Sequence, residues 1–419
     1  MSKHIDIAVI GGGPAGMMAA GRAAELGKRV VLIEKNTRLG RKLLMTGGGR
    51  CNLTHAEYDI DAMVGRYGRP GRFLYHAFSV FGVDETFEFF LNRGVRLKVE
   101  PDGRVFPESD RAMDVLKALE GWLSAGRVTV ATGVAVNGLE AENGVVVCAL
   151  TSTGPVEADS FIVCAGGRSY PATGSTGECF GWIKGLGHTV TRLTPLLTPI
   201  TVKEGWVSSA EGASFRGAEV SVWQDGKKKV SAVGDGVFTR NGLSGPIILD
   251  LSGYVGELAV KGEVKIRLDL MPGADCKSLD ARLLGIFRQT PNRLVRNIME
   301  DLVVPKLAPV VLEVTGVDPD RQANKVTREE RGKILGAVKG LTLTVKGLGG
   351  FERAMVTGGG VSLREVAPKT MRSKLVGNLY FAGETLDITG PTGGYNLQIS
   401  WSTGYLAGES AANIAKAAK

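Results

Sequence analysis

Ile5–Glu34 reads IDIAVIGGGPAGMMAAGRAAELGKRVVLIE, and the fold turns on it. Ile7-Ala8-Val9-Ile10 is a continuous apolar run, as a parallel strand buried on both faces requires, and it stops at three glycines. In Gly11-x-Gly13-x-x-Gly16 the first glycine permits a tight turn. The second lets a pyrophosphate approach the backbone, and the third lets a helix pack closely on the strand. Pro14 to Leu26 is rich in Ala and Met and has no β-branched residue, so a helix is predicted there, its start at Pro14 and Ala15 facing the phosphates. A second strand, Arg29 to Ile33, ends in Glu34, 18 residues past Gly16, where a carboxylate accepts hydrogen bonds from an adenosine ribose. Glu34, followed by Lys35 at the same edge, would repel a 2′-phosphate. The ligand is therefore expected to be FAD or NAD rather than NADP.

The loop that follows, NTRLGRKLLMTGGGRCNLT, combines bare backbone with cations. Thr46, Gly47, Gly48 and Gly49 beside Arg41, Lys42 and Arg50 would let amides and positive charge reach an anionic ligand, with Cys51 and Asn52 closing the loop. Arg50 would lower the Cys51 pKa. No partner cysteine stands nearby, so Cys51 is read as a cofactor-loop residue rather than a redox thiol.

At 419 residues the chain exceeds one ordinary core, and two or three domains are expected. Its 51 basic and 43 acidic residues leave a net charge of +8, a mild excess at this length. The run Lys227-Lys228-Lys229 reads as a solvated hairpin, and the composition argues against nucleic acid as a partner. Five cysteines (51, 148, 164, 179 and 276) show neither CxxC nor zinc-ligand spacing, and four histidines leave little room for a metal centre, so no metal site is expected. With no leader-like segment ahead of the first strand and no membrane-length apolar run, the expectation is a soluble, cytoplasmic protein.

Two amphipathic segments, about 73–91 and 111–122, are predicted helical, with Ser109 or Asp110 as N-cap of the second. VTVATGVAV, within 127–139, should supply a third parallel strand, and the backbone at Val134 could lie against an adenine. Strands are predicted at 144–150 and 155–164, the latter running into Ala165 and Gly166. Pro195 and Pro199 mark a boundary. Residues 200–270 alternate in period two, predicting a small antiparallel sheet or barrel, and 275–340 carry Leu283, Leu284, Ile286, Phe287, Leu294, Ile298, Leu302, Leu307 and Val311 at helical spacings. Strands resume near Leu341.

Four blocks, GRKLLMTGGGRCNLT, TRNGLSGPIIL, AMVTGGGVSL and LYFAGETLDITGPTGGYNLQISWSTGYLAG, closely resemble the bacterial FAD-dependent flavoproteins of the aminoacetone-oxidase-like or BaiN-like family, from the first strand to the last helix. His55 stands where that family tends to have Asn, and Arg372 where Glu is usual. The resemblance implies an α/β fold: a Rossmann-like, glutathione-reductase-type FAD-binding domain interrupted by an insert of a small β-barrel plus a helical bundle. With the residue reading, this divides the chain into 1–193 (FAD domain, first part), 194–273 (barrel), 274–342 (helical insert) and 343–419 (FAD domain, second part). By the same resemblance Gly383 and Glu384 meet the flavin side of a non-covalent FAD, and Gly393, Gly394, Tyr395, Asn396 and Leu397 set a helix N-terminus against the isoalloxazine.

The expected activity is an FAD-dependent oxidase or dehydrogenase acting on a small molecule, such as the amine aminoacetone, by hydride transfer to flavin N5. One rival is an NAD(P)H-dependent reductase of an alkene or ketone; with no second strand-GxGxxG-helix unit, its nicotinamide would borrow the substrate pocket. Oxygen is the other electron partner considered. A flavin-dependent RNA-modifying or RNA-binding protein is a third reading, favoured only by a pI of 9.2. Candidates for the catalytic acid or base are Tyr170, Asn52, Tyr395 and Asn396, with a substrate pocket expected between the FAD domain and the insert, bordered by Thr239 to Pro246.

Overall fold

A computed structural model describes residues 4–414 and divides into two compact units: the residues up to Pro195 with those from Met355 onward, and Leu196–Ala354.

The first unit is built on five parallel strands. β1 (Ile7–Ile10), α1 (Pro14–Glu25) and β2 (Val30–Glu34) form the predicted βαβ unit, followed by α2 (Ala112–Ala125), β3 (Thr129–Thr132), β4 (Ser160–Val163), β5 (Leu379–Phe381) and α3 (Tyr395–Ile414). The strand order is β5-β4-β1-β2-β3, with Ile7 paired to both Val30 and Ser160. β1 and β4 are wholly buried, which accounts for the unbroken apolar run of β1 and for Phe161-Ile162-Val163 in β4. The last helix packs on the first through small residues: a Cβ added at Gly404 or Gly408 would lie 2.3 Å from the carbonyl oxygen of Ala15 or Ala19. β5 and α3, contributed by the far end of the chain, thus complete the fold begun at Ile7.

Several predicted elements are subdivided. The strand predicted at 155–164 is two: Gly154–Glu157 joins an antiparallel sheet with Val136–Glu142 and Val145–Thr151, whereas β4 enters the parallel sheet. The helix predicted over 73–91 breaks at Phe81-Gly82 into Tyr75–Val80 and Val83–Leu91. Neither Ser109 nor Asp110 caps α2. Arg111 occupies the N-cap position, and the Asp110 carboxylate pairs with Lys98 and Arg50 instead.

In the second unit Ile200–Val202, Gly242–Ser244, Lys227–Thr239, Ser214–Gln224, Lys265–Asp269 and Leu341–Leu348 close a six-stranded barrel in that order. Val220, Val222, Ile266, Leu268 and Leu343 fill it, with Ile248 and Val255 of the helix Pro246–Ala259 packed on the same core. The boundary at 342/343 assigns residues 343–348 to the second nucleotide-domain segment; instead Leu341–Leu348 is the barrel's closing strand, pairing with both Lys265–Asp269 and Ile200–Val202. The helices Cys276–Gln289, Val295–Leu302, Ala308–Thr315 and Arg328–Gly340 surround a separate core containing Leu283, Ile298, Val311 and Ile334.

Candidate functional site

Two of the glycines after β1 are required by close backbone packing. A Cβ on Gly11, whose φ is +105°, would lie 2.4 Å from the Cys164 carbonyl oxygen, and one on Gly16 would lie 1.8 Å from that of Gly11. Those two are needed by the protein's own packing. A Cβ on Gly13 would meet nothing within 4 Å, so its missing side chain leaves open space at the start of α1. The first helical bond runs from Met17 N to Gly13 O at 3.0 Å, so the preceding amides of α1 have no helical acceptor and remain for an anion.

At the end of β2, Glu34 accepts from the Gly12 amide at 2.6 Å and from the Asn36 amide at 2.8 Å. The Val134 amide donates to the Glu34 carbonyl at 3.0 Å, bringing the predicted adenine-side residue to the predicted ribose-side one. Ala165 and Gly166 continue from β4, next to β1, with Gly166 at φ +75°. Gly47, Gly48 and Gly49 all have positive φ and are exposed, and Cβ atoms at Gly48 and Gly49 would meet nothing. A free strip of backbone beside an acidic strand end fits an elongated dinucleotide.

Residues from the two ends of the chain converge here. Lys42 Nζ lies 2.7 Å from Glu384 Oε2, while Glu384 Oε1 accepts from the Thr357 amide at 2.9 Å. A Cβ on Gly383 would touch that of Ala15 at 2.7 Å, and one on Gly394 would lie 2.4 Å from the carbonyl of Thr54. Asn52, with its amide oriented to satisfy its neighbours, donates to the Thr54 and Val105 carbonyls and accepts from the Gly394 amide at 3.0 Å. Asn52 is thus a strut between the glycine-rich loop and the start of α3, not an acid or base. Asn396 is similarly occupied, its amide bridging the backbone of Gly390 and Pro391. Leu397 lies half-buried in the first turn of α3, packed against the main core.

Other candidates are redirected. Lys35 pairs with Glu178 at 2.9 Å and donates to Thr176, so its ammonium is committed at that edge. Arg41 donates to Asn36 and supports Glu34 indirectly. Arg50 does not activate Cys51: its guanidinium pairs with Glu100 and Asp110 and lies 3.8 Å over the Phe106 ring. Cys51 itself is fully buried, and burial pushes its thiol up to about 12. Tyr395 is buried, its ring stacked on His55 at 4.9 Å and edge-on to Tyr67 at 6.0 Å. Tyr170 remains half-buried at the head of the Pro171–Thr173 turn, in the left-handed region at φ +53°.

Thr357 was not singled out by sequence. Its hydroxyl oxygen faces the amides of Arg168 and Ser169 at 2.7 and 3.0 Å, tying the loop after β4 to the segment that also holds Glu384. The available signal was its position in the TGGG block, read only for its glycines.

Outside the cradle, Ser373, His188 and Glu365 form a row resembling a nucleophilic triad. Ser373 Oγ lies 2.9 Å from His188 Nε2 but accepts from the amides of Leu375 and Val376, so its proton goes to the imidazole and Nδ1–H faces Glu365 at 3.3 Å. The hydroxyl is buried with its acceptor capacity filled, which makes the row structural. Burial lowers the His188 pKa from 6.5 against the raising effect of Glu365. A depressed native value means that the unfolded chain takes up the proton first, so this stability is complete above 6.5 and is lost as pH falls toward the native value. Melting temperature is expected to fall over that window, and less steeply in His188→Gln; parallel curves for the two proteins would exclude the assignment.

A family described as HI0933-like protein Rossmann domain matches residues 5–410. The chain is 32% identical over 410 residues to 3-dehydro-bile acid delta(4,6)-reductase of Clostridium scindens, covering 97% of this chain and 98% of the relative. It is 26% identical over 410 residues to ribosomal RNA dihydrouridine synthase of Haemophilus influenzae, again covering 97% and 98%. Among solved structures, 3-ketosteroid-delta4-(5alpha)-dehydrogenase from Rhodococcus jostii RHA1 shares the fold with a TM-score of 0.55 at 15% identity, over 98% of this chain and 97% of that one.

Proposed function

Since the chain belongs to the HI0933-like protein Rossmann-domain family, we propose that this FAD-dependent oxidoreductase reduces a carbon–carbon double bond conjugated to a carbonyl group. The observation that carries the reading is the end-to-end similarity to a delta(4,6)-reductase. A dihydrouridine synthase, a second relative along the whole chain, is likewise named for a product with added hydrogen. No relative reported above is named for amine oxidation, and aminoacetone oxidation becomes the competing outcome of the test.

Bound FAD, once reduced by a hydride from NAD(P)H, would supply the hydride that adds to the β-carbon of such a substrate. The chain's part is to hold and aim. Gly13 and the start of α1 receive the pyrophosphate, Glu34 the ribose, and Lys42 with Glu384 clamps the two chain ends at the flavin side. The Gly393-Gly394 turn directs the first amides of α3 toward the isoalloxazine. Tyr170, the candidate phenol that is not fully buried, delivers the proton to the α-carbon. The single GxGxxG unit implies that NAD(P)H and the substrate use one pocket in turn. The five cysteines are all free, which suits a cytoplasmic setting, and no described helix is long and apolar enough to cross a membrane.

Anaerobic titration of the yellow protein tests this. Bleaching by NADH or NADPH, followed by recovery of colour on adding a conjugated enone but not the saturated ketone, is the expected result. Bleaching by aminoacetone, with no response to a nicotinamide, would replace the reading with amine oxidation.

A further inference from the structure

One peptide group at the head of α3 is held by both of its poles. The Gly393 carbonyl and the Gly394 amide belong to the same peptide, and each has its own partner: His55 Nδ1 lies 3.3 Å from the carbonyl oxygen, and Asn52 accepts from the amide at 3.0 Å. The two flanking residues are glycines at φ +109° and +101°, where the backbone is least confined by side chains. Sterics at these two residues therefore do little to decide which way the peptide faces, and the two hydrogen bonds decide it. The Gly394 carbonyl accepts from the Gln398 amide at 3.0 Å, so a turn of this peptide carries the start of α3 with it.

The imidazole is seated for this contact. The His55 backbone is fixed by strand pairing with Arg104 and by the Ala56 amide, which donates to the Gly103 carbonyl at 2.8 Å. The ring stacks on Tyr395 with 19° between the planes, and a Cβ on Gly103 would lie 2.5 Å from Nε2, so glycine there leaves the space that the imidazole fills. Tyr395 is held in turn, its carbonyl accepting from the Tyr67 hydroxyl at 3.0 Å. A carbonyl oxygen only accepts, so the contact requires the proton on Nδ1. Stacking alone would suit any aromatic ring at position 55. The carbonyl facing Nδ1 asks for a donor as well.

We propose that His55 is a positioning residue: by donating from Nδ1 to the Gly393 carbonyl it sets the peptide at the head of α3, and with it the amides that α3 offers to the reduced flavin. This role rests on the reading that the Gly393-Gly394 turn faces the isoalloxazine, and it does not depend on which double bond is reduced.

Two substitutions in the full-length flavoprotein divide the ring from the donor. His55→Phe keeps an aromatic ring for Tyr395 and loses the N–H, whereas His55→Asn loses the ring and keeps an amide donor close to the place of Nδ1. In spectroelectrochemical titration His55→Phe is expected to weaken binding of reduced FAD about tenfold relative to oxidised FAD, which lowers the midpoint potential of a two-electron couple by about 30 mV. His55→Asn should stay within about threefold of the parent in the same ratio. The ¹⁵N spectrum of histidine-labelled protein in alkaline buffer supplies a readout without flavin chemistry: the resonances missing from His55→Asn identify His55, and its proton is expected on Nδ1. A proton on Nε2 would overturn the proposal. So would a His55→Phe protein that melts like the parent and keeps its potential, or equal shifts in the two variants, which would make the stack the working contact. Gly394→Val separates the two levels. A lowered potential there with none in His55→Phe leaves the turn at the flavin and removes only the role of His55, while full flavin at the parent's potential removes the turn from the flavin and this role with it.

Discussion

Gly13→Val is expected to give a protein that folds and melts normally but purifies without its yellow colour. The residue has φ −81° and ψ −176°, extended backbone that any residue adopts, and its Cβ would point into open space. The protein's own packing therefore does not ask for glycine here. If the pyrophosphate lies against this backbone, a valine side chain fills its place. Losing two hydrogen bonds to a charged group, at roughly 1.5 to 3 kcal/mol each, corresponds to a hundredfold or larger loss of FAD affinity. Flavin-to-protein ratio and melting temperature, measured together, check it. Gly16→Ala is the contrast: its Cβ would lie 1.8 Å from the Gly11 carbonyl oxygen, and misfolding is expected. A Gly13→Val protein with full flavin would show that the dinucleotide runs elsewhere.

The contrast also shows which parts of the site can be read from the chain. The packing roles of Gly11 and Gly16 are legible because strand, turn and helix are contiguous and the geometry is local. The same holds for Glu34, which the strand itself carries to the sheet edge. Barrel closure by Leu341–Leu348 was not legible, because that strand pairs with residues about 75 and 145 positions earlier and its alternation suits any sheet.

Arg50 and Cys51 mislead for a different reason. Adjacency in sequence suggested a low-pKa thiol, but Cys51 has φ +65°, and the chain turns so that the guanidinium meets two carboxylates while the thiol enters the core. A one-residue change in backbone hand is invisible to composition. Thr357 illustrates a third limit. A threonine among glycines carries no charge or periodicity, yet its hydroxyl joins the loop after β4 to the Glu384 segment, a link only the folded chain reveals.

The convergence of the two chain ends makes Gly394 the other position where a single side chain should have a large effect. At φ +101°, with a prospective Cβ 2.4 Å from the Thr54 carbonyl carbon and oxygen, Gly394→Val faces backbone strain of about 1 to 3 kcal/mol together with a clash that no side-chain rotation relieves. The turn must swing away from Thr54, breaking the bond from the Gly394 amide to Asn52 and moving the first turn of α3. On the proposal that this turn faces the isoalloxazine, its amides stabilise the charge that develops on reduction by up to about 2 kcal/mol, equivalent to tens of millivolts for a two-electron couple. Gly394→Val should therefore lose most of its flavin, and the fraction that retains it should show a lower midpoint potential. Asn52→Ala removes the acceptor without adding bulk, so it should shift the potential in the same direction by less. Spectroelectrochemical titration of the two variants against the parent separates displacement of the turn from general unfolding, which would lower flavin content but leave the potential of the remaining holoprotein unchanged. Full flavin at the parent's potential in Gly394→Val would remove α3 from the flavin's surroundings.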